Sequence, residues 1–442
     1  MNHPICALIT SPAQAAIAVI RCSGNGVIPL VAKHIHPANK VLNAAGHSIV
    51  FGTFFTSDGI PLDEVLVSVF KAPHSYTGED VIEISGHGNP DLADKILSSL
   101  LQSMDLAKPG EFTLRAYLNG KMDLSQAEAV NDLITAASSK AEAAALMQVK
   151  GYLSRHLECL LQALSDARIR CELAIDFADQ DLPGIDLEDL ISRVDNLLGE
   201  AQRLHSEGAH SRKIREGIKI CLAGAPNAGK SSLFNAFLRQ NRAIVSPHPG
   251  TTRDYLEESF SLAGFPVVLY DTAGLRDHAE AIEAEGIARA RELMQAADLV
   301  LYLYERQEDL HSAEIVDWLD KTIFVASKAD LKQHGELPEG HVLCSVENPD
   351  GLQALSEEIL FRLKLPTEIL YRPLVTNARH LAALKRCIDA LASAKQALLD
   401  EAGYEYIAFD LKAAGSALED ILGVVTPDDL LGRIFDGFCI GK

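Results

Sequence analysis

The chain has 442 residues, 48% hydrophobic and 23% charged, with a formal net charge of −21. That length accommodates several domains with well-buried cores, and the composition is that of a globular protein rather than a disordered or fibrous one. The acidic balance repels polyanions at long range, so a nucleic-acid partner has to meet a local basic patch or a partner protein's surface.

In chain order, the opening stretch "MNHPICALITSPAQAAIAVIR" is apolar but lacks a basic leading region and is interrupted by Pro4 and Pro12. It is not read as a signal peptide. No apolar run reaches the length of a membrane-spanning helix, so no membrane association is expected. The runs "AAIAVIRCSG", "HSIVFGTFF", "EVLVSVFKA" and "VIEISGHG" predict strands separated by turn residues, with a helix over 92–101. Residues 1–120 thus form a compact α+β domain. From Lys121 the stretch "DLSQAEAVNDLITAASSKAEAAALMQ" predicts a helical run opened by a Ser125–Glu128 capping box. A second long helix covers 149–177. After it, Leu187, Leu190, Ile191, Val194, Leu197 and Leu198 fall on one helical face as the core stripe of a bundle. Residues 216–370 alternate strand and helix, the pattern of a doubly wound sheet. Helical periodicity resumes near Thr376, and Thr426-Pro427-Asp428-Asp429 signals a helix start, with a capping hydroxyl, proline at N1 and acids at the positive dipole end. Helices on both sides of the α/β unit imply its insertion into one helical domain: 121–215 and 371–442 around 216–370. The eight cysteines are scattered with no CxxC pair, which argues against a zinc site or disulfide framework and for reduced, cytoplasmic thiols.

Chemistry concentrates in "GAPNAGKSSLFNAF", residues 224–237. Gly224, Gly229, Lys230 and Ser231 satisfy GxxxxGK[ST] between an apolar strand and a helix, so backbone N–H groups at the helix start can face phosphates. Lys230 neutralises the β and γ phosphates, and the Ser231 hydroxyl is a Mg²⁺ ligand. "PVVLYDTAG" ends in DxxG, where Asp271 reaches the magnesium through water and the Gly274 N–H reaches the γ-phosphate. "TIFVASKAD" ends in Lys328 and Asp330, whose carboxylate can accept hydrogen bonds from guanine's N1–H and amine. In this order the three indicate a GTPase, with an ATPase as a minor alternative. "HPGTTRDY" stands where switch I belongs, with Thr252 completing the magnesium shell. GTP contacts are expected from Asn227, Ala228, Gly229, Lys230, Ser231 and Ser232; from Ser246, Pro247, His248, Pro249, Gly250, Thr251 and Thr252; from Asp271, Thr272, Ala273 and Gly274; and from Ser327, Lys328 and Asp330. Ser327 stands where NKxD has asparagine, so weaker guanine binding is expected. Leu275 occupies the position of the Ras water-orienting glutamine and cannot orient water. A cation, a partner's arginine, or one of Glu280, Glu283 and Glu285 must supply that function.

The chain resembles the MnmE (TrmE) family, GTPases that modify the wobble uridine of certain tRNAs. The resemblance spans the full length and rests on "SYTGEDVIEISGHG", "PGEFTLRAYLNGKMDLSQAEAV", "GAPNAGKSSL", "GTTRD", "DTAGLR" and the terminal "FCIGK". It implies a multidomain α/β protein: an α+β N-terminal tetrahydrofolate-binding domain, a discontinuous α-helical domain and an inserted Ras-like doubly wound α/β G domain. It further implies a homodimer through the N-terminal domains, a FAD-containing partner, MnmG, in a heterotetramer, and tRNA as the object of modification. G domains would pair across K⁺, with Asn227, Ser246, His248 and Thr251 as potassium ligands and Glu283 as the catalytic glutamate. Arg21, Glu83, Lys121 and Lys442 map onto the folate site, which takes a 5-formyl- or methylene-tetrahydrofolate. Cys439 stands near it as a candidate participant, although a lone cysteine is more often a small packed hydrophobe. By the resemblance, the one-carbon unit is joined to uridine C5 with an amine or glycine.

Departures are local. Asn89 replaces the last glycine of the family's "GHGG", and its tolerance of left-handed geometry is expected to keep the turn. "TSPAQAAIAVIR" replaces "PxGRGxIAxxR", "CSVENPDG" replaces a Ser-Ala-Lys-like loop, and His248-Pro249 makes an atypical potassium loop. The competing readings are a GTP-regulated ribosome or RNA assembly factor, and a folate-dependent transferase with a vestigial switch. The first lacks its usual basic appendage here, and intact Lys230, Ser231, Thr252 and Asp271 argue against the second.

Overall fold

The structure is a computed structural model that describes residues 3–176, 187–224, 227–241, 256–271, 291–306, 310, 318–330, 340–365, 375–424 and 427–442. The chain packs as two compact units, Met1–Asn131 with Glu419–Lys442, and Asp132–Leu418.

The first unit is built on a seven-stranded sheet of order β3-β4-β5-β6-β2-β1-β7. Its strands are β1 (Ile5–Leu8), β2 (Ile17–Ser23), β3 (Ile35–His36), β4 (Ser48–Phe55), β5 (Pro61–Phe70), β6 (Val81–His87) and β7 (Asp105–Leu106). The expected runs are β2, β4, β5 and β6, whereas β1 emerges from the apolar N-terminal stretch and pairs with β2. Period-two alternation decides the faces. Ile20, Cys22, Val65, Val67, Val69, Ile82 and Ile84 are buried in one core, joined by residues of α1 (Val27–Ala32) and α3 (Pro90–Leu100). The opposite face carries Arg21 and Glu83 in register across β2 and β6. Away from that pair it leaves Ile17, Ile49, Phe51 and Leu66 exposed at 58%, 67%, 56% and 47%. Asn89 differs from expectation: it is extended (φ −87°) and its side chain caps α3, accepting from the Asp91 and Leu92 N–H groups. Three helices were not anticipated, α1, α2 (Ala38–Leu42) and α4 (Glu111–Leu118).

The alanine-rich run is two helices, α5 (Leu124–Thr135) and α6 (Ser139–Val149), with Ser138 capping the second through the Ala141 N–H. The capping box of α5 also lies earlier than Ser125–Glu128. Asp123 Oδ1 accepts from the Gln126 N–H at 3.0 Å while Gln126 Oε1 accepts from the Asp123 N–H at 3.0 Å. Ser125 and Glu128 are instead buried.

The second unit holds a six-stranded sheet of order β13-β12-β11-β8-β10-β9: β8 (Ile218–Gly224), β9 (Leu256–Leu262), β10 (Phe265–Asp271), β11 (Leu299–Tyr304), β12 (Thr322–Ala326) and β13 (His341–Leu343). All neighbours are parallel except β9 and β10. Both faces are covered, as parallel sheets require: Leu301 and Leu303 enter one core, and Val300, Tyr302 and Tyr304 the other. This is the anticipated doubly wound arrangement. The helices are α7 (Tyr152–Asp176), α8 (Leu187–Glu216), α9 (Lys230–Asn241), α10 (Pro349–Arg362), α11 (Ala378–Leu399) and α12 (Tyr404–Leu422), which crosses between the units. The long helix expected from residue 149 begins at Tyr152, because Gly151 turns left-handed (φ 74°) after α6. On α8, Leu190, Val194 and Leu197 are buried, as its stripe required, while Leu187, Ile191 and Leu198 are half-buried. Helix α13 (Asp428–Phe435) starts with Pro427 at the N-cap rather than at N1, and Thr426 lies outside the described residues. Residues 419–442 pack in the first unit, where Leu431, Phe435 and Phe438 share a core with Leu124 and Ala127.

The reciprocal cap makes a direct prediction. Asp123→Ala should cost about 1 kcal/mol, read as a lower urea midpoint. An unchanged midpoint would place the effective cap elsewhere.

Candidate functional site

The phosphate loop leaves the C-terminal end of β8. Gly224 has φ 132°, and a Cβ there would lie 2.0 Å from the Leu303 carbonyl oxygen, so only glycine fits beside β11. Asn227 (φ 61°) and Gly229 (φ 91°) turn the chain left-handed into α9, which begins at Lys230. The helix start thus presents its unpaired N–H groups to the loop's concavity, which suits an anion. Lys230 is only 7% exposed and donates through Nζ to the Gly224 carbonyl at 3.0 Å. The Ser231 hydroxyl donates to Asp271 Oδ2 at 3.3 Å. Asp271 is 2% exposed at the end of β10, where the parallel register sets it opposite Leu222 of β8. A hydroxyl and a carboxylate converging in this way form part of the oxygen set that a magnesium ion takes.

A cavity of about 230 Å³ adjoins the loop and is lined by Gly229, Ser232, Leu303, Ser327, Lys328 and Asp330 among others. Ser327 is 6% exposed and turned inward. Its N–H and its hydroxyl both donate to the Tyr304 carbonyl, at 2.9 and 3.1 Å. It therefore secures the strand end while lining the cavity. Lys328 (φ 58°) pairs with Glu305 at 2.8 Å. Asp330 Oδ1 accepts from the Ser345 hydroxyl at 2.6 Å. Ser345 was not singled out from the sequence; it belongs to the atypical "CSVENPDG" loop, in which Asn348 also caps α10. Ser246, Pro247, His248, Pro249, Gly250, Thr251, Thr252, Thr272, Ala273, Gly274, Leu275, Glu280, Glu283 and Glu285 lie outside the described residues.

A second constellation stands in the first unit. Arg21 Nε and Nη2 approach Glu83 Oε1 at 2.9 and 2.8 Å. The guanidinium lies 5.3 Å from the Tyr76 ring centroid and 5.6 Å from that of Phe112. The chain terminus comes to the same place: the Phe112 N–H donates to the Lys442 carbonyl at 3.2 Å and the Gly110 N–H to that of Cys439 at 3.4 Å. Burial, and next the Arg21 charge, push the Lys442 amine below its ordinary range, against the opposing pull of Glu83 and then Cys439. Arg21, Glu83, Lys442 and the exposed Cys439 are thus brought together. Lys121 is engaged with the loop that carries Tyr76, donating to the Pro73 carbonyl at 2.9 Å. Beneath lies buried Arg115, which binds Glu79 at 3.1 Å, Glu111 at 2.9 Å and the His3 carbonyl at 3.0 Å. Two cations, one carboxylate and two rings suit a flat, anionic ligand. The sequence did not single out Tyr76, Phe112 or Arg115, since nothing local marks a ring for stacking on a distant strand arginine.

A phosphate loop at the C-terminal edge of a doubly wound parallel sheet, with Asp271 beside Ser231, defines the class as a phosphate-loop nucleotide-binding protein. Comparison with known proteins narrows this. A family model for the MnmE helical domain matches residues 124–439, and one for the GTP-binding protein TrmE N-terminus matches residues 4–121. The tRNA modification GTPase MnmE of Aquifex aeolicus (strain VF5) is 39% identical over 453 residues, and that of Moorella thermoacetica (strain ATCC 39073 / JCM 9320) 40% over 468, each alignment covering 100% of both chains. A solved G domain, from the T. maritima FeoB iron transporter, is 28% identical at a TM-score of 0.26 and covers 33% of this chain and 98% of its own. The chain belongs to the MnmE family.

Because the Lys230 amine is aimed across the loop, Lys230→Ala should weaken nucleoside triphosphate binding about 100-fold, the scale of a lost charge-assisted contact. Calorimetric titration measures this. A loss under about threefold would mean the amine does not meet the phosphates.

Proposed function

We propose that this chain hydrolyses GTP and uses the cycle to modify tRNA. The observation that carries this reading is the convergence, at one sheet edge, of Lys230, the Ser231–Asp271 contact and the cavity holding Asp330. Lys230 draws charge from the β and γ phosphates, and Asp330 accepts from guanine's N1–H and amine, which adenine does not present. Ser231, with Asp271 beside it, and Thr252 would hold a magnesium ion, which would supply charge neutralisation to the phosphates. Asn227, Ser246, His248 and Thr251 would hold a potassium ion, which would supply the charge neutralisation that an arginine finger gives. Glu283 orients the attacking water, the task Leu275 cannot perform.

The finer reading follows the family. The chain is divided as 1–120 for folate binding and dimerisation, 121–215 and 371–442 as the helical domain, and 216–370 as the G domain. Arg21, Lys121 and Lys442 hold the carboxylates of a tetrahydrofolate derivative while Glu83 meets the pterin's amino face; the net positive balance around Glu83 and the rings of Tyr76 and Phe112 support this for Arg21, Glu83 and Lys442. Bound folate supplies the one-carbon unit for C5 of the wobble uridine, with a FAD-containing MnmG as redox partner. Exposed Ile17, Ile49, Phe51 and Leu66 on the open sheet face support pairing of two copies through their N-terminal units. The setting is cytoplasmic; among the described residues no helix is long and apolar enough to cross a membrane.

GTP turnover in potassium and in sodium at matched ionic strength, with Glu283→Ala alongside, tests the reading. Potassium should accelerate turnover at least about tenfold, and Glu283→Ala should lower it about 100-fold. Equal rates in the two salts would remove the cation mechanism, and an unchanged mutant rate would remove Glu283.

A further inference from the structure

Strands β9 and β10 form a hairpin whose open end meets the nucleotide site. Strand β10 ends at Asp271, which touches Ser231, and β9 begins at Leu256, a few residues after Thr252 in the chain. The two strands pair in unbroken register from Leu262–Phe265 to Leu256–Asp271. Phe265, Val267, Leu269 and Asp271 are all buried, so β10 lies in a packed core over its length, roughly 20 Å at strand rise. A strand packed in this way transmits strain rather than absorbing it, because close-packed interiors deform little.

The closed end of the hairpin meets the first turn of α6. The tip residues Ala263 (φ 49°) and Gly264 (φ 84°) are left-handed. The Lys140 N–H donates to the Gly264 carbonyl at 3.2 Å. Lys140 Nζ stands 4.0 Å from the centroid of the Phe265 ring, in a setting whose burial pushes the amine below its ordinary range. A Cβ at Gly264 would lie 3.0 Å from Ser139 Oγ and 3.1 Å from Lys140 Cγ, so the approach is close on both sides of the turn. Behind it Ala141 and Ala144 of α6 and Ile214 of α8 share one core with Phe265 and Val267. The surrounding elements are tied independently, Arg215 to Asp132 at 2.8 Å and Lys213 to Asp298 at 3.2 Å.

We propose that the hairpin tip and the first turn of α6 form a clamp through which the helical segment senses the nucleotide, with Lys140 as the positioning residue. This rests on the GTPase reading above and names the contact that relays it. When Asp271 responds to the nucleotide, the packed hairpin transmits the change to its tip and alters the contact of the Gly264 carbonyl and Phe265 ring with Lys140. The helix start is the receiver, since Ser138 caps it and its own N–H groups include the one bonded to the tip. Lys140 and Gly264 meet at the end of the hairpin opposite Asp271, so the clamp is addressed without substituting a residue of the phosphate loop.

The test is hydrogen exchange of peptides spanning residues 138–149 in the full-length protein, with GDP and with a non-hydrolysable GTP analogue. Wild type should differ at least about threefold in exchange between the two states. Lys140→Ala, and Lys140→Met, which keeps the aliphatic stem but removes the charge, should abolish that difference while GTP turnover stays within about twofold of wild type. A nucleotide-dependent difference retained in both variants overturns the clamp. So does its absence from a wild type that binds and turns over GTP. A wild type that binds no GTP overturns the underlying reading and the proposal with it, and the binding measurement itself tells that failure apart from the others.

Discussion

The contact on which the nucleotide site depends is the passage of β8 beside β11 at Gly224. The strands run so close that a methyl group at 224 would lie 2.0 Å from the Leu303 oxygen. A side chain there would push β8 from its neighbour and displace everything that follows it: the turn through Asn227 and Gly229, the start of α9 and the Lys230 amine across the loop. On the other flank, the parallel register with β10 sets Asp271 beside Ser231. Through β11 and β12 the same sheet edge delivers Ser327 and Asp330. The chemistry is local, but its geometry is that of four strands, β8, β10, β11 and β12, held in register.

The second constellation follows a different logic. The terminal residues return to the first unit and are held by backbone hydrogen bonds from α4, which bring Lys442 to Arg21 and Glu83. A chain of net charge −21 thereby keeps two cations around one carboxylate. Overall charge governs long-range steering, while a buried group responds to its immediate neighbours. The depressed Lys442 amine reflects burial first and Arg21 second, and an anionic ligand would offset the repulsion between the two cations.

Much of this was legible in the sequence. The phosphate loop, the strand that ends at Asp271 and the alternation of a doubly wound sheet are short-range patterns, and they stand where they were expected. The misses have separate physical causes. The alanine-rich run reads as continuous helix because alanine favours helix everywhere, and only the Ser138 cap marks the break. The box at α5 shifts because Asp123 and Gln126 satisfy each other while Ser125 and Glu128 turn into the core. Asn89 was assigned a turn role from its tolerance of left-handed geometry, yet Pro90 after it favours an extended residue that caps a helix. Tyr76, Phe112, Arg115 and Ser345 owe their positions to tertiary packing, which no local pattern records. Ser327 departs from the guanine motif, and its N–H and hydroxyl both donate to the Tyr304 carbonyl, which supports the proposed assignment of base recognition to Asp330.

That division of labour is also the account's most exposed claim. It is tested by measuring the affinity of Asp330→Asn for GTP and for xanthosine triphosphate, in which a carbonyl replaces guanine's amino group. The account predicts that the variant loses about 100-fold in GTP affinity and gains a comparable preference for the xanthine nucleotide, because the asparagine amide can donate where the carboxylate could only accept. A variant that binds GTP as wild type does, with no gain for xanthosine triphosphate, would contradict it.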